Sequence, residues 1–264
     1  MGLTCYSFCV AVCLVYLLIN LIEEEGMKVT LRGICIPHAS TYTDFCGHAS
    51  QVIPDWIANA KIGVASSSAD DAAAGTGART IRVDGLDWDW NPVSEDVILN
   101  GQTEVAGTLQ YRAINYAEVL TAGSGAVNAG DVYVYNVADT VSAGVPQTPN
   151  TYLAKKIPAG LGVSSHFNYT QRDGKDLYIT GLSGGFYHTA AAYARIRLGI
   201  KEFGGVWKYV TIGEQGTAAT MVIKDTFPDP IFVPRKAIVC VKAIASAAGT
   251  ISMRLDCEGR GEGS

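Results

Sequence analysis

Residues 72–105, AAAGTGARTIRVDGLDWDWNPVSEDVILNGQTEV, decide how the rest of the chain is read. Thr80, Arg82 and Asp84 alternate with Ile81, Val83 and Gly85, the period of two expected of a strand with one wet face and one buried face. Asp87-Trp88-Asp89-Trp90-Asn91-Pro92 breaks that period with turn-forming residues, and alternation resumes through Val97 and Leu99. Asn100-Gly101 follows, a pair suited to positive backbone angles. The stretch predicts a β-hairpin with an acidic, tryptophan-bearing turn.

Outward from the hairpin, alternation recurs at 111–120 and 131–136, with Gly123-Ser124-Gly125 and Asn128-Ala129-Gly130 between them. Further strands are expected at 176–180, 193–200, 206–212, 220–225, 237–245 and 250–257. Ala194, Ile196, Leu198 and Ile200 against Arg195, Arg197 and Lys201 give the clearest alternation. Pro228, Pro230 and Pro234 lack a ladder donor and confine their segment to extended or turn geometry. The small, polar run 66–77 suits a mobile loop, and 138–149 suits a boundary or crossover between sheets. The expected fold is all-β: an antiparallel, jelly-roll-like β-sandwich, as one body or two sandwich-like halves. Its parts are an apolar segment at 1–26, an irregular arm at 27–63 containing strand-like KVTLRGICI, a first β region at 64–145, and a second at 146–264 packed with the first.

The GTGAR block (Gly75 to Arg79) and GLD (Gly85 to Asp87) lead into a strand running from Glu95 to Asn100-Gly101 and Thr103. The NAG strand (Asn128 to Tyr135) and the IPAG turn (Ile157 to Gly160) follow. Together these resemble structural proteins of tailed bacteriophages, common in marine phages, over roughly residues 64–257. The resemblance implies a virion component assembled in the host cytoplasm. The resemblance does not divide capsid from tail; the expected place is the capsid, as a decoration or minor capsid protein, with itself and other virion proteins as partners in a homo-oligomer. A tail or fibre component carrying a carbohydrate-binding sandwich is the alternative.

Composition narrows the function classes. Twenty-nine glycines and 17% charged residues fit many tight turns on an uncharged sandwich. A net charge of -5 supplies no basic field, so nucleic acid is not an expected partner. Seven cysteines form no CxxC pair, and the grouping Cys35, His38, Cys46 and His48 has the spacing C-x2-H-x7-C-x-H of no common zinc module. No metal and no cofactor are expected, and Asn168-Tyr169-Thr170 reads as an accidental sequon.

Residues 5–22 form an almost unbroken apolar run that approaches the span of a bilayer core of about 30 Å. No Lys or Arg precedes it, as a secretory signal requires, and Glu23-Glu24-Glu25 follows. The codons of Glu23-Glu24-Glu25-Gly26 are purine-rich and compatible with a ribosome-binding sequence, so Met27 is the expected translation start. The rival expectation is a membrane anchor, with a membrane as partner only if 1–26 are translated.

Three candidate sites remain. Gly181-Leu182-Ser183-Gly184-Gly185 fits the G-x-S-x-G nucleophile elbow of an esterase, with a helix conceivable in the FYHTAAAYA that follows. His188 is the only histidine downstream and lies five residues away on the same element, where it cannot approach as a separate base. A glycine-rich loop between antiparallel strands is the expected alternative, and no enzyme is expected. Asp87, Asp89 and Asn91 resemble the opening of a calcium loop, but Pro92 stands at its glycine position and Ile98 at its terminal glutamate, which favours a solvated turn. Trp88 and Trp90 either pack the base of that turn or form an interface, and with Tyr111 they are the stacking platforms of the carbohydrate alternative.

Overall fold

A computed structural model describes residues 28–35, 43–44, 60–165, 168–245 and 249–261. The apolar run at 1–26 lies outside the described residues, as do His38, Cys46 and His48, so neither expectation is addressed by the fold. No helix among the described residues is long and apolar enough to cross a membrane.

In chain order the elements are β1 (Lys28–Cys35), β2 (Thr43–Asp44), β3 (Ala60–Ser66), β4 (Ala78–Leu86), β5 (Pro92–Ile98), β6 (Val105–Tyr111), β7 (Ala113–Ala122), β8 (Val132–Asn136), β9 (Val141–Ser142) and β10 (Val145–Pro146). There follow a single helical turn, α1 (Pro149–Tyr152), and then β11 (Leu153–Ile157), β12 (Asn168–Thr170), β13 (Lys175–Lys201), β14 (Trp207–Val233), β15 (Ile238–Ala245) and β16 (Gly249–Gly261). Every strand pairing is antiparallel, and the fold is all-β, as the alternation predicts.

The hairpin at 78–98 forms in the expected place, with Thr80 opposite Ile98 and Leu86 opposite Pro92. It makes a three-stranded sheet ordered β5-β4-β7, which packs on a four-stranded sheet ordered β11-β8-β3-β6. Ile81 and Val83 from one sheet and Ile62, Val64, Val132 and Val134 from the other are fully buried in a shared core. Burying each such side chain favours folding by about 1.5–3 kcal/mol. β3, at the end of the expected arm, and β6 are strands not foreseen, and the strand expected at 111–120 forms as β7 after Arg112.

Residues 138–149 do not cross between sheets. They form the small β9-β10 hairpin and α1, after which β11 returns antiparallel to β8 in the same sheet. The first sandwich therefore runs through Ile157, and β12 (Asn168–Thr170) belongs to the second sheet.

The loop at 66–77 is anchored. Asp71 is fully buried, and its carboxylate accepts the amides of Ala78 (2.7 Å), Ala129 (2.8 Å) and Gly130 (2.9 Å) and the Ser66 hydroxyl (2.5 Å). A Cβ on Gly77 would stand 2.1 Å from Asp71 Oδ1, so only glycine lets the backbone pass. Asn128, 1% exposed, donates through Nδ2 to the carbonyls of Gly130 (2.7 Å) and Pro158 (2.8 Å) and accepts the Gly162 amide on Oδ1 (3.0 Å). Gly101, at φ 59°, donates its amide to the Asp71 carbonyl (2.7 Å). The GTGAR, NG, NAG and IPAG segments thus converge on one hydrogen-bonded end of the first sandwich.

The second unit is a seven-stranded sheet in the order β1-β16-β13-β15-β12, with β14 on the other edge of β13 and β2 on β15. Two 27-residue strands dominate it, β13 and β14. β13 pairs β16 over Lys175 to His188 and β15 over Ala194 to Lys201. Ile179, Leu182, Ile196, Leu198, Val239 and Leu255 share its core. Cys257 lies there as a free thiol, its pKa pushed up to about 12 by burial and then by the neighbouring Asp256.

Candidate functional site

The strongest site lies where the two sheet systems meet. The turn after β4 is folded by Asp87, whose Oδ1 accepts the amides of Asp89 (2.9 Å) and Asn91 (2.8 Å) while Oδ2 accepts Asn91 Nδ2 (3.3 Å). These bonds close an Asx-type turn and occupy the carboxylate that would lead a calcium loop. No group of three or more His, Cys, Asp or Glu residues that could hold a metal occurs among the described residues.

At the end of that turn Trp90 has φ 67°, in the left-handed region that a bulky residue rarely occupies. Such a conformation persists where surrounding contacts hold it, at a cost of order 1–3 kcal/mol. The contacts are here. The Arg112 guanidinium lies over the rings of Trp88 (4.4 Å), Trp90 (4.2 Å) and Phe203 (4.8 Å), and Phe203 meets Trp90 edge-on at 5.2 Å. Lys236, itself at φ 63°, places its ammonium 5.6 Å from the Trp90 ring.

Each part is positioned by the fold. Arg112 is the residue between β6 and β7, and its amide bonds the Leu86 carbonyl at 2.8 Å, beside the tryptophan turn. Phe203 sits in the β13-β14 hairpin turn, closed by the Gly205 amide on the Glu202 carbonyl (2.9 Å) and by Lys208 on Glu202 (2.7 Å). Lys236 follows β14 and pairs with Asp173 at 2.7 Å, which holds that carboxyl below the usual range. A reciprocal amide pair joins the units underneath: Asn115 Nδ2 donates to the Thr170 carbonyl (3.0 Å), and the Thr170 amide donates to Asn115 Oδ1 (2.8 Å). The buried Lys155 ammonium donates to the Asn168 carbonyl (2.8 Å) and to its side-chain oxygen. Between these contacts is a cleft of about 380 Å³ whose lining includes Trp90, Arg112, Lys201, Phe203 and Lys236.

Trp88 and Trp90 are thus brought together as expected, but around a guanidinium. Tyr111 is a correction. It is 1% exposed, with its hydroxyl 3.3 Å from the Val83 carbonyl, because it occupies the inward face of β6. Burial first, and then the Glu95 carboxylate, raise its pKa far above the ordinary phenol value. It cannot serve as a stacking platform or an interface residue.

The glycine-rich loop expected around Ser183 is a second correction. Ser183 lies inside continuous β13, opposite Lys224 on one side and Arg254 on the other, and 186–194 continues as strand, so neither the sharp turn nor the helix is present. The glycines there are strand residues, not a loop. A Cβ on Gly184 would approach the Ser252 carbonyl oxygen at 2.5 Å, so the neighbouring strand requires glycine.

Arg112, Phe203, Lys201 and Lys236 were not foreseen. Two signals pointed to them: the charge breaking alternation between Tyr111 and Ala113, and a phenylalanine in the Glu202-Phe203-Gly204-Gly205 turn.

No family model and no curated protein matches the chain. Among solved structures it is similar to a structure of infectious bursal disease virus, Gt strain, at 9% identity and TM-score 0.25, over 89% of this chain and 72% of that one. It is also similar to T=1 particles derived from that virus (11%, TM-score 0.24, 89% and 69%) and to its VP2 subviral particle (10%, TM-score 0.22, 90% and 77%). At such TM-scores the likeness carries no argument about the role of this chain.

Proposed function

We propose that the chain is a structural protein of a tailed-phage virion, capsid-associated as a decoration or minor capsid component. It acts through symmetric contacts with copies of itself and with other virion proteins. The observation that carries this reading is β14. It bonds β13 along one side and no other strand among the described residues. It also carries exposed Val210, Val222 (79%) and Phe232. An open sheet edge with exposed apolar side chains is a template for another chain, and in a particle many weak contacts of this kind act together. The phage setting rests on the resemblance of the turn motifs.

The test uses particles lacking this component. Wild-type chain should bind, Val210→Lys/Val222→Lys should bind fewer copies, and Ser183→Ala should match wild type. Undiminished occupancy by the lysine variant would remove the edge from the contact, and ester hydrolysis abolished by Ser183→Ala would sink the assembly reading.

A further inference from the structure

We infer that the cleft between the first sandwich and the seven-stranded sheet is a receptor for a carboxylate side chain on an acidic peptide segment of a neighbouring protein. This proposal rests on the assembly reading and names one of its contacts. Three cations, Arg112, Lys201 and Lys236, line the cleft against one carboxylate, Glu202, which is already bonded to Lys208. These cations stand on a chain of net charge -5.

Arg112 is the centre of the site. Lys236 is paired with Asp173, whereas Arg112 makes no ion pair among the described residues. Its one side-chain hydrogen bond runs from Nη1 to the Trp88 carbonyl at 3.2 Å. The Trp90 and Phe203 rings stand at 85° to each other, so aromatic rings flank the guanidinium on more than one side. A guanidinium without an ion pair matches the two oxygens of a carboxylate through its N–H fork.

The same geometry disfavours a sugar. Stacking on a sugar needs an open aromatic face, but Arg112 and Lys236 lie over the Trp90 ring and Phe203 meets it edge-on. What the cleft offers is charge and N–H donors, with Trp88 and Phe203 at an exposed rim.

The test is a titration of the full chain with hexaglutamate, hexaglutamine and tri-galacturonate, followed by calorimetry and by tryptophan fluorescence. Hexaglutamate should bind, and hexaglutamine should not. Raising salt from 50 to 300 mM should weaken hexaglutamate binding, as expected for a charge contact at a partly open site. Arg112→Lys keeps the charge but loses the planar fork, and should weaken binding at least tenfold while leaving the circular dichroism spectrum unchanged. Phe203→Ala, at an exposed ring, supplies a second variant that should weaken binding if Arg112→Lys does not fold. Failure of hexaglutamate to bind, equal binding by the folded variants, or preference for tri-galacturonate would each overturn the proposal. Particle occupancy measured in parallel separates the two ideas: variants that lose hexaglutamate but keep full occupancy leave the assembly reading standing without this contact.

Discussion

At the residue scale, the most consequential side chain in the first sandwich is Asp71, which no catalytic or binding motif marks. Three of its four hydrogen bonds join the start of β4 to the NAG turn, whose Ala129 and Gly130 lie 58 and 59 residues after Asp71, and the fourth holds Ser66. Asp71→Asn would turn one acceptor into a donor facing other donors, and a buried polar group left unmatched costs about 1–3 kcal/mol. Urea denaturation should show a loss of roughly that size or more, and a loss below about 0.5 kcal/mol would mean that the carboxylate is not the staple. Asp84 shows the opposite balance. Burial raises its pKa, and the Ser94 hydrogen bond and the Arg82 charge offset this only in part. A carboxyl raised in the folded state contributes stability that is fully present below its unfolded pKa and is lost as pH rises through the folded value. Asp84→Asn should therefore flatten the fall in stability just above the ordinary carboxylate range and leave the variant more stable than wild type at pH 7. Melting temperatures across pH 3–7 check both statements, and a variant less stable than wild type at pH 7 would contradict them.

At the scale of elements, the chain announces some strands and conceals others for physical reasons. β4 and β5 are legible because each has one buried and one wet face, so polarity alternates along them. β3 is concealed because Ile62 to Ser66 is buried throughout, between β8 and β6, and a strand buried on both faces loses its period. β13 and β14 each read as separate pieces because glycines and prolines punctuate them. Pro228 and Pro230 in fact fall in the register shift where Ile179 pairs with Ile231 and Gly181 with Thr226, which is where a strand tolerates them. The outcome is an edge far longer than any piece the sequence suggested, and it is the edge to which the proposed assembly assigns contacts with other chains. Lysine at Val210 and Val222 should reduce concentration-dependent self-association in sedimentation velocity. Because both side chains are exposed, stability should stay within about 0.5 kcal/mol of wild type. Unchanged sedimentation across a hundredfold range of concentration would show that copies of the chain do not meet at this edge.

At the scale of the whole molecule, two cores are joined through a polar amide pair and an aromatic cage. The sequence exposed only half of that junction. Its tryptophan turn stood out as Asp-Trp-Asp-Trp, but the residues that complete the cage lie at 112, 203 and 236, and only the fold brings them together. The two tryptophans should therefore differ in what they do. Trp88 is 45% exposed at the rim, whereas Trp90 is partly buried and touches Arg112, Phe203 and Lys236. Truncating a buried aromatic anchor commonly costs about 2 kcal/mol or more, and cation–π contacts add about 0.5–2 kcal/mol each. Trp90→Ala should lower the stability of the isolated chain and loosen the two units, broadening or splitting the unfolding transition. Trp88→Ala should leave unfolding nearly unchanged. Both should lower occupancy on particles lacking this component, Trp90→Ala by misplacing the units and Trp88→Ala by removing an exposed contact, and repetition at every copy enlarges either defect. Measuring unfolding and bound copies on the same preparations separates the two routes. Full occupancy by Trp88→Ala would confine that ring to the internal cage, and an unaltered transition for Trp90→Ala would show that the cage does not couple the two cores.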